Sequence, residues 1–114
     1  MAYVFTAKET PSVAVAGTTD LFPVHRIYCV GQNYANHARE MGANPEREAP
    51  FFFSKPADAV FPEGSRLPFP LATENLHHEI ELVVAIGKKG TNILATDALD
   101  YVFCYVYGSC RALT

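Results

Sequence analysis

The sequence predicts a mainly β fold with short helices, of the α+β class. Four β-branched or aromatic runs carry that reading: 24–30, 51–53, 80–86 and 101–107. Each is halted at or soon after its end by glycine or proline, as strands are. Helix boundary signals flank only two short stretches, near 34–41 and 96–101. With 114 residues there is room for one domain.

Residues 1–21 form a polar, Thr-rich lead-in with an apolar patch at Val13 to Ala16, which either pairs as an edge strand or wraps the surface. The lead-in carries no chemistry, and the domain proper is set at 22–114. Its first strand is Val24 to Gly31, and the chain then enters Gln32-Asn33-Tyr34 directly. Asn33 is placed to cap a helix and Gly42 to stop it, so Tyr34 to Met41 reads as a two-turn helix. On that helix His37 and Glu40 stand three apart and share a face. A carboxylate beside an imidazole orients it and raises its basicity, which suits a general base. A surface ion pair has the same spacing.

After a charged loop, Phe51-Phe52-Phe53 reads as a buried strand, with Lys55 emerging at its end before Pro56. A lysine there either holds an anionic group or snorkels to the surface. The prolines and glycine of 61–70 make a loop. The next strand carries Glu79 and Glu81 and ends in a buried aliphatic run at Gly87. Residues two apart on a strand point the same way, so both carboxylates share a face with Val83 and Ala85. Paired carboxylates at the edge of an apolar region repel, and a hard divalent cation such as Mg²⁺ or Mn²⁺ compensates them. A solvated strand face also carries such pairs. Lys88-Lys89-Gly90 reads as a hairpin-type turn, Thr96 to Tyr101 as a short helix capped by Thr96 or Asp97, and Tyr101 to Gly108 as an aromatic strand.

Composition narrows the function classes. The chain is 49% hydrophobic with a net charge of −3, which excludes disorder and a nucleic-acid surface. No apolar run is long enough to span a membrane, and no secretory signal is visible at the N-terminus. Cys29, Cys104 and Cys110 form neither a CxxC pair nor an even set, so they read as reduced thiols of a cytoplasmic protein.

Taken together, Ile27-Tyr28-Cys29-Val30-Gly31-Gln32-Asn33-Tyr34 with His37 and Glu40, then Phe52-Phe53-Ser54-Lys55-Pro56, then His77-His78-Glu79-Ile80-Glu81-Leu82, resemble the fumarylacetoacetate hydrolase family. Within it the resemblance is to the bacterial fumarylpyruvate hydrolase and acylpyruvase branch, over about residues 22–107. It implies the mixed β-sandwich roll of that family, of which this chain is the N-terminal part, in a protein that is usually homodimeric. It also implies one Mg²⁺ or Mn²⁺ per active site and cleavage of a carbon–carbon bond in a small 1,3-diketo acid, as in aromatic compound catabolism. For fumarylpyruvate the products are fumarate and pyruvate. By resemblance, Glu79 and Glu81 are metal ligands, His37 and Glu40 activate water, and Lys55 and Gln32 bind substrate. Gln32 stands where relatives often carry arginine. Cys110 falls where the family's third carboxylate ligand is an aspartate, and a thiol suits hard Mg²⁺ poorly. Two alternatives accompany the hydrolase: a sibling isomerase or decarboxylase, and an inactive amino-terminal fragment.

Overall fold

A computed structural model describes residues 1–31, 33, 42 and 49–113, the last seven by backbone alone. Backbone contacts divide the chain into two units, Met1–Arg66 and Leu67–Thr114.

The first unit opens with a hairpin of β1 (Ser12–Ala14) and β2 (Leu21–Pro23), antiparallel from Ser12↔Pro23 to Ala14↔Leu21. The Val13 patch thus pairs as a strand, and its partner, Leu21–Pro23, straddles the end of the polar lead-in. Gly17 sits at φ 76° in the connection, a conformation that costs glycine little. Thr18 closes the same connection: its Oγ1 accepts from the Asp20 N–H at 3.0 Å.

Strands β3 (Ile27–Gly31) and β4 (Phe51–Lys55) then pair antiparallel, from Ile27↔Lys55 to Gly31↔Phe51. The strand at 24–31 therefore starts three residues later than its sequence suggests. At the last pair the Phe51 ring lies over the bare Cα of Gly31. A Cβ there would meet the ring, 2.7 Å from Cε1 and closer to two other ring atoms. An aromatic ring covering a cross-strand glycine restores packing that the missing side chain would have supplied. Beyond Pro56 the chain makes a 3-10 turn, Ala57–Ala59, which no boundary signal announced.

The second unit is a long ribbon. Strand β5 (Leu76–Ile86) runs antiparallel to β6 (Val102–Leu113), from Leu76↔Leu113 to Ile86↔Val102. The pairing slips between Ala85 and Ile86, which leaves Phe103 as an extra residue on β6. Gly87 accommodates it: a Cβ there would stand 2.9 Å from the Cβ of Phe103. The Gly87 N–H donates to the Tyr101 carbonyl at 2.8 Å and closes the ribbon.

Several expectations are corrected here. Lys88-Lys89-Gly90 is not a tight hairpin turn, because the chain passes through a 3-10 helix, Ala95–Tyr101, before β6 begins. That helix is capped by Leu94, with no side-chain bond, so Thr96 and Asp97 lie inside its first turn. The Asp97 N–H finds the Leu94 carbonyl at 2.9 Å, so backbone geometry supplies the cap. The last strand also runs on past Gly108 to Leu113.

The larger correction concerns burial. The runs 51–53 and 80–86 are strands, yet Phe51, Phe52 and Phe53 are 52%, 66% and 46% exposed. No described side chain falls in the buried range. The physical reason is the sheet size: each sheet among the described residues has two strands. Pairing satisfies one edge of a strand, whereas covering its faces requires a second layer. The expected helix at 34–41 lies outside the described residues. Gly42, expected to stop it, has φ 82°, the left-handed conformation such a stop requires.

Candidate metal centre

The site begins with the alternation of β5. Extended backbone over Leu76–Ile86 turns Glu79 and Glu81 to one side, along with Val83 and Ala85. Ile80, Leu82, Val84 and Ile86 take the other. Both glutamates are half-buried, while Ile80 between them is 72% exposed. The carboxylate side of the ribbon is thus the more enclosed one at this point, so the two charges sit away from bulk water but not sealed from it.

Register with β6 builds the surroundings. Glu79 pairs with Cys110 and Glu81 with Gly108. The residue opposite Glu81 therefore has no side chain. The oxygen donors of the two glutamates suit a hard divalent ion as two of its roughly six ligands. Among the described residues no group of three or more His, Cys, Asp or Glu is placed to hold a metal. The same alternation brings His77 to the glutamate face, exposed and at the strand's outer end. Reading the Glu-x-Glu pair in isolation passes over this histidine, although its spacing of two was the available signal.

The remaining predicted residues are distributed as follows. Lys55 ends β4 in the first unit, half-buried and aligned with Ile27. Gln32, His37 and Glu40 lie outside the described residues. Cys29 and Cys104 are free thiols, both half-buried. No helix among the described residues is long and apolar enough to cross a membrane.

Residues 26–109 match the family model described as fumarylacetoacetate (FAA) hydrolase C-terminal. The mitochondrial oxaloacetate tautomerase FAHD1 of Bos taurus is 48% identical over 79 residues, covering 69% of this chain and 35% of the tautomerase. The mitochondrial oxaloacetate decarboxylase of Dictyostelium discoideum is 44% identical over 81 residues, covering 70% of this chain and 37% of that protein. Among solved structures, fumarylpyruvate hydrolase from Pseudomonas aeruginosa, in complex with Mn²⁺ and pyruvate, superposes with a TM-score of 0.88 at 50% identity. That match covers 96% of this chain and 49% of the other. The chain therefore spans about a third of these curated relatives and about half of this structural neighbour.

Proposed function

The chain belongs to the fumarylacetoacetate hydrolase family, and from that premise we propose that its site is built for metal-dependent hydrolysis of a carbon–carbon bond in a small 1,3-diketo acid of the fumarylpyruvate type. One observation carries the proposal: two half-buried carboxylates share a face of β5, in a chain half identical to a fumarylpyruvate hydrolase that binds Mn²⁺ and pyruvate.

Glu79 and Glu81 would hold Mn²⁺ or Mg²⁺, which when bound supplies Lewis-acid polarisation of the two diketo oxygens. His37 takes the proton from the attacking water while Glu40 orients its imidazole. The water oxygen adds to the carbonyl next to the alkene, and the bond to the central methylene breaks. That bond's electron pair leaves with the pyruvate half, and a proton returned to its carbon completes fumarate and pyruvate. Lys55 would pair with a substrate carboxylate, and the Gln32 amide would donate a hydrogen bond to the substrate. Gln32 offers no charge, so it anchors a carboxylate less firmly than arginine would. The thiols Cys29 and Cys104 support a reducing compartment, the cytoplasm in this reading.

A second reading has its own support. Relatives 48% and 44% identical tautomerise or decarboxylate oxaloacetate, which is also a β-dicarbonyl acid and presents the same pair of oxygens. Under that reading His37 moves a proton at the carbon between the carbonyls and no water is consumed. The two are separated by supplying Mn²⁺ with each acid in turn. Pyruvate released from fumarylpyruvate above the oxaloacetate rate supports the hydrolase. Enol-to-keto conversion or CO₂ release from oxaloacetate, without fumarate formation, overturns it in favour of the sibling activity.

A further inference from the structure

The β6 side of the glutamate face carries a donor that a Mn²⁺ or Mg²⁺ centre leaves unused. In an antiparallel ribbon, residues directly opposite each other lie on one face. The register Ala85↔Cys104, Val83↔Val106, Glu81↔Gly108 and Glu79↔Cys110 therefore puts Cys110 on the face of the two carboxylates. Cys110 is among the residues described by backbone alone, and the register is what places it. Directly opposed residues have Cβ atoms about 4.5–5.5 Å apart, a span that one ion bridges. The other thiol of this face is out of range. Cys104 pairs with Ala85, four residues along β5 from Glu81, or about 13 Å at a rise of about 3.3 Å per residue.

The donor types decide which ion such a set favours. Mg²⁺ is hard, asks for near-octahedral oxygen ligation and gains little from sulfur. Zn²⁺ takes thiolate and carboxylate alike, and its catalytic centres keep three protein ligands with one position open to water or substrate. Two carboxylates and a thiolate are thus short of oxygen for Mg²⁺ and sufficient for Zn²⁺.

We propose that the juxtaposition of Glu79, Glu81 and Cys110 on the β5–β6 ribbon is a site selective for a thiophilic divalent ion, Zn²⁺ first, over Mn²⁺ and Mg²⁺. The inference rests on the reading of Glu79 and Glu81 as metal ligands and changes the preferred ion. It does not depend on which acid is the substrate.

The test strips the 114-residue chain with chelator and titrates it with Mn²⁺, Zn²⁺ and Co²⁺. Co²⁺ is the spectroscopic probe, because a cobalt–thiolate bond adds a near-ultraviolet charge-transfer band that oxygen ligands do not give. The band should appear in the unaltered chain, in Cys29→Ser and in Cys104→Ser, and vanish in Cys110→Ser. Zn²⁺ should bind more tightly than Mn²⁺, and Cys110→Ser should shrink that ratio by about tenfold or more. Iodoacetamide labelling of the unaltered chain, mapped by mass spectrometry, decides the matter if the variant fails to fold. Zn²⁺ should slow labelling of Cys110 severalfold and leave Cys29 and Cys104 as before. A Co²⁺ spectrum without the band overturns the proposal, as does a band that survives Cys110→Ser or a Zn²⁺-to-Mn²⁺ ratio that the variant leaves unchanged. So does a band indifferent to Glu79→Gln, which would make the thiol a ligand apart from the carboxylates. The two readings fail separately. Mn²⁺ binding that needs the glutamates but comes with no cobalt band keeps the carboxylate centre and removes this one, whereas a glutamate-dependent band without Mn²⁺ binding does the reverse.

Discussion

Replacing Glu81 with glutamine should change the stability of the β5–β6 ribbon in opposite directions with and without a bound ion. Glu79 and Glu81 stand two residues apart on one strand face, so their carboxylates are about 7 Å apart at a rise of about 3.3 Å per residue. At that distance two unit charges repel by about 0.6 kcal/mol in water-like surroundings. Half-burial strengthens this and physiological salt weakens it, so about 0.5 kcal/mol is a fair working figure. In chelator, Glu81→Gln should therefore stabilise the ribbon by about 0.5 kcal/mol. With Mn²⁺ at a hundred times its dissociation constant, binding adds about 2.7 kcal/mol to the unaltered chain. Binding weakened about tenfold by the substitution leaves about 1.4 kcal/mol of that. The deficit of about 1.3 kcal/mol exceeds the relief of repulsion, so the variant becomes the less stable of the two by roughly 1 kcal/mol. Amide hydrogen exchange across Leu76–Ile86 and Val102–Leu113 reads both conditions locally. A Glu81→Gln effect of the same sign with EDTA and with Mn²⁺ would refute the shared site.

Two further outcomes are expected. Cys110 stands opposite Glu79 in the ribbon, so Cys110→Asp should tighten Mn²⁺ binding by about tenfold or more, read by the free-ion EPR signal; unchanged affinity would remove Cys110 from the site. Gly31→Ala displaces the Phe51 ring and should lower amide protection in β3, whereas in a Phe51→Ala background it should raise protection by about 0.4–1 kcal/mol through the unfolded chain. Equal effects in both backgrounds would show that the ring contact is energetically silent.

Much of the candidate site is legible in the residues themselves. Alternation along 76–86 puts Glu79 and Glu81 on one side, and a strand's period of two needs no knowledge of its neighbours. The glycine at 31 and the proline at 56 likewise bound their strands within a residue, because backbone restriction acts where it stands. Boundary signals worked less well where backbone geometry substituted for a side chain. Leu94 caps the 3-10 helix while Thr96 and Asp97, the better capping residues, lie within it.

What the sequence by itself determined, then, is local: which stretches are extended, where they stop, and which side chains share a face. Tertiary structure decided that β6 pairs with β5 across a long connection, that Cys110 and Gly108 fall opposite the two glutamates, and that Phe103 bulges between Ala85 and Ile86. It also decided that the phenylalanines of β4 are paired along an edge yet open on their faces. The division follows from sterics and distance. Dihedral preferences and side-chain alternation are properties of a few consecutive residues, whereas register and burial depend on which distant segment arrives alongside and on whether another layer covers the result.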